Sequence, residues 1–385
     1  MTIIAVMKTL SRREFLVAAS AATVATVAVP TFAAGPAAKG RQRVFIGSGT
    51  ADGILAFDWD SETGELTPDG VAARIPTIDW ITYSPGREFI YAASEVDSFN
   101  EKPTGAVASF SVPHGKLAPL SAQNSASKGT CHVALDHTGR VLLAADYGGG
   151  SASSYLVTDG KLSPVVWSEH YTAHGPNTER QEAAHAHFAS FSPDNRFAYF
   201  NDLGGDCIHI YRLNTETAVL TPAGTYHSAP GAGPRTLHFH PNGHTAYSMN
   251  ELDSTVDVLE WHKTDGNLSV MTTIHLLPAG YTGDTHGCDT VISKDGRFVY
   301  FANRGNNSIY MFHADWNTGA LTLGGRYDCG GKTPRNFTLD PTERWMLVAN
   351  QVSSNLSVFA RNAETGELSK DGKSVAAATP MCILF

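Results

Sequence analysis

The segment Thr365-Gly366-Glu367-Leu368 decides the fold of this chain, because six other segments repeat its pattern of a short turn that ends in leucine. The other copies are Thr63-Gly64-Glu65-Leu66, His114-Gly115-Lys116-Leu117, Asp159-Gly160-Lys161-Leu162, Thr217-Ala218-Val219-Leu220, Asp265-Gly266-Asn267-Leu268 and Thr318-Gly319-Ala320-Leu321. Successive leucines lie 45 to 58 residues apart. A repeat of this period indicates an array or ring of similar structural units.

A second element precedes each of these turns. It reads Pro-x-Gly-Arg, then alternating aromatic and β-branched residues, then Asn or Asp; one copy runs from Asp295-Gly296-Arg297 to Asn303-Arg304. Period-two segments bounded by Gly, Asn and Asp turns are typical of antiparallel strands. Each unit therefore has four strands: A before Pro-x-Gly-Arg, B after it, C after the Asn-x turn and D after the Gly-x-Leu turn. The sequence predicts an all-β, seven-bladed β-propeller of four-stranded antiparallel blades.

The two ends of the repeat region predict how the ring closes. The C-terminal segment Thr379–Phe385 resembles the start of strand A at Thr333–Phe337, whereas the first unit, near Val44–Leu66, has no strand A of its own. The last strand is expected to complete the first blade and to leave no exposed edge. We expect one propeller domain over residues 41–385; a β-sandwich, the alternative, does not explain seven equal units.

Residues 1–34 predict a twin-arginine export signal. Ser11-Arg12-Arg13-Glu14-Phe15-Leu16 precedes an apolar, small-residue stretch from Leu16 to Phe32, and Ala33-Ala34 follows. The alternative is a membrane anchor, but the stretch has 17 residues and contains Pro30, which is short for a span. We expect transient contact with the twin-arginine export machinery, no stable membrane anchor, and a periplasmic or secreted mature protein.

Composition excludes several classes of protein. The net charge of −9 disfavours nucleic-acid binding, which needs a basic face. Five cysteines without paired spacing indicate neither a disulfide scaffold nor a zinc ribbon.

Two sets of aligned side chains are expected to surround one end of the central channel, because the loops that enter strand A and those that join B to C share a face. The entry column, at the start of strand A, contains Asp79, Cys131, His187, Arg235, Cys288, Arg335 and Met381, flanked by His132, His185, Asp289 and Asn336. The exit column, at the end of strand B, contains Glu95, Tyr147, Leu203, Glu251, Arg304 and Gln351. Charged residues that differ from blade to blade at equivalent positions indicate a function. For any one of them, a plain ion pair is the alternative. The Asn or Asp before each exit residue is predicted to cap the B–C turn.

An ordered set of motifs carries a family resemblance. It comprises Gly175-Pro176-Asn177, Arg180-Gln181, His185-Ala186-His187, Gly233-Pro234-Arg235, Asn250-Glu251-Leu252, Ala302-Asn303-Arg304-Gly305, Gly331-Lys332-Thr333-Pro334-Arg335-Asn336-Phe337 and Ala349-Asn350-Gln351. This set resembles the lactonase family of seven-bladed propellers, which includes the propeller type of 6-phosphogluconolactonase and the fungal carboxy-muconate cyclase.

The resemblance implies an active site in the channel mouth. Its catalytic residues would be His187, Glu251, Arg235 and Arg304. The neighbouring residues expected to bind substrate are His185, His132, Tyr147, Asp289, Arg335, Asn336 and Gln351.

These residue types suit the hydrolysis of a small-molecule lactone. Either Glu251 or His187 can act as general base on water, and Arg235 with Arg304 can stabilise the oxyanion and hold an anionic substituent. No Gly-x-Ser-x-Gly elbow is present, so we expect direct water attack on a sugar-type lactone. The resemblance favours a 6-phosphogluconolactone substrate, whereas export favours an unphosphorylated one. The alternatives are a muconate-type lactonising cycloisomerase and a non-catalytic periplasmic binding propeller.

A catalytic metal is a rival interpretation of the same residues. His185 and His187 point to the same face of an extended segment, and His132, His286, Asp289 or Glu251 could join them. Two arginines aimed at the same channel oppose a cation. We therefore expect no metal and no cofactor.

Overall fold

A computed structural model describes residues 41–385 as a ring of seven antiparallel sheets. The predicted seven-bladed propeller is therefore confirmed, whereas the predicted export signal lies outside the described residues. Within residues 41–385 no helix has the length and apolar character needed to span a membrane. A single 3₁₀ turn at Pro113–Gly115 interrupts the strands of this region.

In blades 2 to 7 the strands run in sequence order from the channel outward, whereas in blade 1 the last strand of the chain lies innermost. Blades 1 and 2 contain β1 (Arg41–Ser48), β2 (Ile54–Asp60), β3 (Glu65–Ala73), β4 (Ile78–Tyr83), β5 (Phe89–Ser94), β6 (Ala106–Ser111) and β7 (Ala118–Asn124). Blades 3 and 4 contain β8 (Thr130–Leu135), β9 (Val141–Asp146), β10 (Ser151–Thr158), β11 (Lys161–Leu162), β12 (Trp167–His170), β13 (Ala186–Phe191), β14 (Phe197–Asp202), β15 (Cys207–Leu213) and β16 (Leu220–His227). In blade 3 the outer strand is split, since β11 and β12 both pair with β10.

The remaining blades are regular. Blades 5 and 6 contain β17 (Pro234–Phe239), β18 (Thr245–Asn250), β19 (Thr255–Trp261), β20 (Leu268–His275), β21 (Gly287–Ile292), β22 (Phe298–Asn303), β23 (Ser308–Ala314) and β24 (Leu321–Asp328). Blade 7 contains β25 (Pro334–Leu339), β26 (Trp345–Asn350), β27 (Asn355–Ala360) and β28 (Lys373–Ala376), and the last strand is β29 (Pro380–Leu384).

The ring closes as predicted. β29 pairs antiparallel with β1, so that Ile46 lies opposite Ile383, and blade 1 gains its inner strand from the C-terminal end. The backbone groups at the inner edge of β1 are thereby paired, which removes a site for edge-to-edge association. Trp59 of blade 1 also packs edge to face on Trp345 of blade 7, with ring centroids 6.0 Å apart.

The glycine of the repeated turn docks one blade on the next. Gly366 has a φ of +76°, and a Cβ there would lie 2.3 Å from the Phe298 ring of blade 6. Its carbonyl accepts a hydrogen bond of 2.6 Å from the Tyr300 hydroxyl. Blades 4 and 5 repeat this arrangement, since Tyr199 donates to the Gly266 carbonyl at 2.8 Å. Glycine is required at this contact because both the positive φ and the close approach exclude a side chain.

Strand A of each blade begins with a β-bulge that turns one side chain toward the channel. In blade 2, Ile78 pairs with Ser94 and Trp80 with Ala93, so that Asp79 has no partner on β5. Such bulges redirect a side chain at the cost of one ladder position. The residues skipped in this way are Asp79, Cys131, His187, Arg235, Cys288 with Asp289, Arg335 and Met381. These are the entry column defined from the sequence, with Asp289 added.

Candidate active site

The entry column forms a narrow part of the central channel. Six of its seven members line one small cavity there together with three aromatic residues that follow them along strand A. The lining residues are Asp79, Trp80, Cys131, His132, His187, Phe188, Arg235, Arg335 and Met381. The bulges therefore bring side chains from six blades to one place.

Glu251 lies at the centre of a cluster of three arginines. One carboxylate oxygen, Oε2, is 3.0 Å from Arg235 Nε and 2.7 Å from Arg304 Nη2. The other, Oε1, accepts a hydrogen bond of 2.5 Å from Arg180 Nη2. Burial opposes ionisation of this 2 %-exposed carboxyl, yet Arg304 and Arg235 together hold its pKa well below the usual range. Glu251 is consequently an anion whose negative charge is stabilised by three cations.

Arg180 belongs to this cluster but is not among the site residues predicted from the sequence. It lies in the loop between β12 and β13, in the Arg180-Gln181 motif. The buried Gln181 fixes this loop, because its side-chain amide donates to the Asp206 carboxylate at 2.7 Å and to the Leu203 carbonyl at 2.9 Å. A charged residue beside a buried, loop-fixing glutamine is the sequence signal that could have identified it.

The three arginines differ in how far they reach toward solvent. The side chain of Arg235 is 6 % exposed, that of Arg304 15 % and that of Arg180 35 %. Arg235 also donates through Nη1 to the Cys288 carbonyl at 2.5 Å. Arg304 and Arg180 are therefore the guanidinium groups that an entering molecule meets first.

His187 is a buried histidine that remains uncharged. Burial lowers its pKa well below the ordinary value, and the nearby Arg235 lowers it further, whereas Glu251 acts in the opposite direction. Its Nδ1 atom is buried and has no hydrogen-bond partner among the described residues. A neutral imidazole with a free nitrogen is suited to accept a proton.

Tyr147 and His185 form one wall beside this group. Their rings stack with centroids 4.4 Å apart, and the Tyr147 ring meets His187 edge to face at 5.5 Å. The Tyr147 hydroxyl also accepts a hydrogen bond of 3.2 Å from Arg180 Nη2. Tyr147 is thus in contact with the predicted catalytic residue His187, and His185 packs on Tyr147.

Glu95 is a second acid of the exit column, and it is not among the site residues predicted from the sequence. It follows β5 in blade 2 and is half-buried. Burial and the neighbouring Asp79 raise its pKa to about 8, although Arg335 and Arg235 oppose this rise. Unlike the pKa of Glu251, this pKa is raised, which favours the protonated carboxyl. Its position in the repeat was visible in the sequence, but its charge state depends on residues from other blades.

The remaining predicted binding residues have partners other than Glu251. His132 packs between Trp80 and Phe188, with ring centroids at 4.4 and 3.9 Å. Asp289 accepts a hydrogen bond of 2.7 Å from Asn336 Nδ2.

Asp289 also lies 3.3 Å from His238 Nε2, farther along the strands that line the channel. Arg335 is paired with Asp79, and Gln351 is half-buried at the end of β26. The structure therefore joins His187, Glu251, Arg235, Arg304, Tyr147 and His185 through contacts around Glu251. His132 lines the narrow cavity together with His187 and Arg235, whereas Asp289 and Asn336 pair with each other.

Comparisons with known proteins agree with this architecture. Residues 43–385 match the family described as "Lactonase, 7-bladed beta-propeller". A 6-phosphogluconolactonase of Bacillus subtilis (strain 168) is 33% identical over 340 residues, which cover 88% of this chain and 95% of that protein. A 6-phosphogluconolactonase of Formosa agariphila is 32% identical over 339 residues, covering 85% of this chain and 94% of that protein. The structure of a periplasmic gluconolactonase of Pseudomonas aeruginosa superposes with a TM-score of 0.83 at 30% identity, covering 89% of this chain and 98% of that one.

Proposed function

This chain belongs to the seven-bladed β-propeller family of lactonases, and from that premise we propose that it opens a sugar-type lactone by water attack in the mouth of its central channel. The observation that carries the proposal is the Glu251 cluster, in which three guanidinium groups surround one carboxylate next to the neutral imidazole of His187. No relative described above is named as a muconate cycloisomerase or a binding protein, so those alternatives receive no support.

His187 is the proposed general base. Both oxygens of Glu251 are engaged by Arg235, Arg304 and Arg180, so the carboxylate faces cations rather than a water molecule. The imidazole of His187 is uncharged and its Nδ1 is free of hydrogen bonds within the described region. It can therefore remove a proton from the water whose oxygen bonds to the lactone carbonyl carbon.

The arginines are proposed to stabilise the negative charge that develops on the carbonyl oxygen. Three cations face a single carboxylate, so positive charge remains in excess at the mouth. Arg304 and Arg180 are the more exposed of the three, and Glu251 fixes their positions before substrate arrives. Donors that are held in place in advance lower the barrier without a reorganisation cost.

Glu95 is the proposed proton donor. When the tetrahedral intermediate collapses, the bond between the carbonyl carbon and the ring oxygen breaks and the ring oxygen needs a proton. A carboxyl with a pKa raised to about 8 is protonated at neutral pH and can supply that proton. His187 then releases its proton to solvent and Glu95 takes one up from solvent, so that both groups return to their starting states.

The proposed substrate is an aldonolactone that carries no phosphate. The periplasmic gluconolactonase of Pseudomonas aeruginosa and the twin-arginine element Ser11-Arg12-Arg13 support this choice, because phosphorylated sugar lactones are products of intracellular metabolism. Export through the twin-arginine machinery is part of the same proposal. Replacing Arg12 and Arg13 by lysine should retain the protein in the cytoplasm, as cell fractionation would reveal.

The decisive experiment is a lactone panel. Glucono-1,5-lactone, its 6-phosphate and a muconolactone are assayed with purified wild-type protein and with His187→Ala, after subtraction of spontaneous opening. We expect turnover of the unphosphorylated sugar lactone and its loss in the variant. Equal rates for wild type and variant on all three compounds would contradict the proposed site, and faster turnover of the 6-phosphate would correct the substrate.

A further inference from the structure

Blade 4 contains a group of metal-binding side chains outside the proposed active site. Asp202 ends β14, and Cys207 and His209 lie near the start of β15. One donor atom from each residue lies within 4.8 Å of the others. None of the three lines the narrow cavity at the channel mouth.

The strand register brings these residues together. Asp202 is the cross-strand partner of Cys207, so that their side chains leave the sheet on the same face. His209 follows Cys207 by two residues and therefore shares that face as well. The spacing Asp-x₄-Cys-x-His is thus converted by the B–C turn into a three-residue cluster.

One carboxylate oxygen of this cluster has no hydrogen bond. Asp202 is fully buried, and its Oδ1 accepts hydrogen bonds from the His185 N–H at 2.7 Å and from the Gly205 N–H at 3.0 Å. Its Oδ2 has no hydrogen-bond partner in the described region and lies 3.6 Å from His209 Nε2. A buried carboxylate oxygen without a partner is costly.

In two neighbouring blades the equivalent side chain hydrogen-bonds to the residue that corresponds to Cys207, although Asn250 Oδ1 in blade 5 also lacks a partner within the described residues. In blade 3, Asp146 Oδ2 accepts a hydrogen bond of 2.7 Å from Ser151, the residue that corresponds to Cys207. In blade 5, Asn250 Nδ2 donates to Thr255 Oγ1 at 2.9 Å and to Asp257 Oδ2 at 3.0 Å. Blade 4 alone among these three replaces the hydroxyl by a thiol, a weak hydrogen-bond donor and a strong metal ligand.

Two of the donor-atom distances match tetrahedral coordination, and all three donor atoms lie within 4.8 Å of one another. His209 Nε2 lies 3.4 Å from Cys207 Sγ and 3.6 Å from Asp202 Oδ2. Zinc bonds of about 2.3 Å to sulfur and about 2.0 Å to nitrogen or oxygen place such atoms about 3.3 to 3.5 Å apart.

Two further contacts shape the cluster. Tyr171 stacks on His209 at 3.7 Å with an interplanar angle of 7°, which fixes the imidazole plane. Gly205 leaves space beside the carboxylate, because a Cβ there would lie 2.6 Å from Asp202 Oδ2.

We propose that Asp202, Cys207 and His209 bind one Zn²⁺ ion, with water as the fourth ligand. Thiolate, imidazole and carboxylate together are a donor set that zinc prefers. The ion would join strand B to strand C in blade 4. Through the Asp202–His185 hydrogen bond it would also steady the segment that carries His185 and His187. The proposal is independent of the lactonase proposal.

The test measures metal directly. Purified wild-type protein is expected to hold about one zinc ion per chain after gel filtration, by elemental analysis. Cys207→Ser and His209→Gln should reduce this content at least tenfold. Two controls should retain it: Cys329→Ser, which alters another buried cysteine, and His275→Ala, which alters an exposed histidine in blade 5.

Cobalt supplies a readout that does not require a folded variant. Co²⁺ added to the chelator-treated wild type should produce a thiolate-to-cobalt charge-transfer band, and Zn²⁺ should abolish that band by displacement. The proposal is overturned if the wild type holds no more zinc than Cys207→Ser, or if bound Co²⁺ gives no thiolate band. Lactone turnover plays no part in either measurement.

Discussion

Arg335 and Asp79 form a bidentate ion pair although they lie 256 positions apart in the chain. Arg335 Nε is 2.9 Å from Asp79 Oδ1, and Arg335 Nη2 lies 2.7 and 2.8 Å from Oδ1 and Oδ2. The two side chains are 14 % and 4 % exposed. Arg335 belongs to blade 7 and Asp79 to blade 2, so the pair spans blade 1, where the two ends of the ring meet.

Loss of one partner of this pair should destabilise the ring. Asp79→Asn leaves the Arg335 guanidinium buried without its counter-charge, which typically costs about 3–5 kcal/mol. Denaturant unfolding should show a lower midpoint for Asp79→Asn. The double variant Asp79→Leu with Arg335→Met should be more stable than the single variant, since it removes both charges. Equal midpoints for wild type and Asp79→Asn would contradict this prediction.

The turn glycine can be tested with a matched pair of substitutions. Gly366 and Gly243 share a φ of +76°, but a Cβ at Gly366 meets the Phe298 ring whereas one at Gly243 meets nothing within 4 Å. Both alanine variants carry the conformational cost of a positive φ, and Gly366→Ala should add about 1–3 kcal/mol from the clash. The difference between the two unfolding free energies measures the contact between blades, and no difference would refute it.

Glu251→Gln should lower kcat/KM by about a hundredfold or more, because the arginines lose the charge that positions them. Glu260→Gln changes an exposed residue of β19 and should leave activity unchanged.

Stability supplies a second readout at Glu251. Its pKa is lower in the folded protein than the usual value of about 4.3. The stabilisation that the ionised Glu251 contributes is therefore complete above a pH of about 4.3, and it disappears as the pH falls toward the pKa of the folded protein. Thermal melts from pH 7 to pH 3 should show the gap between wild type and Glu251→Gln closing in acid. A gap that stays constant would contradict the assigned charge state.

His187→Ala should reduce kcat by a factor of about 10² to 10⁴, as expected for loss of a general base. His275→Ala, an exposed histidine, serves as the control. Because the pKa of His187 is lowered, the base form persists below pH 6.5, and kcat/KM should stay flat from neutral pH into mild acid. A fall in kcat/KM centred on pH 6.5 would show that a solvated histidine acts instead.

Glu95→Gln should remove the alkaline limb of the pH–rate profile. The carboxyl has a pKa of about 8, so wild-type kcat/KM should decline above that pH as the proton donor becomes ionised. Glutamine cannot supply the proton, so the plateau should fall and the decline should vanish. Glu88→Gln, in the same blade and exposed, is the control. An unchanged profile in Glu95→Gln would assign the donor elsewhere.

The sequence by itself determined the architecture. The recurring turn of Gly366, the strand pattern around it and the likeness of Thr379–Phe385 to a strand A start predicted seven blades and the closure of β29 on β1. It also identified the entry column, because a bulge at the same place in every blade keeps equivalent residues in equivalent register. Repetition makes such features local, and local patterns can be read from the chain.

Only the tertiary structure decided the partners and charges of the site. Arg180 reaches Glu251 from a loop 71 positions away, and Glu95 acquires its raised pKa from burial and from Asp79, with Arg335 in another blade acting against it. His132, Asp289 and Asn336 fit the sequence columns, yet their partners in the structure are Trp80 and Phe188 for His132 and each other for Asp289 and Asn336. Distance and burial across a ring depend on how all seven blades close, and no segment of the sequence carries that information alone.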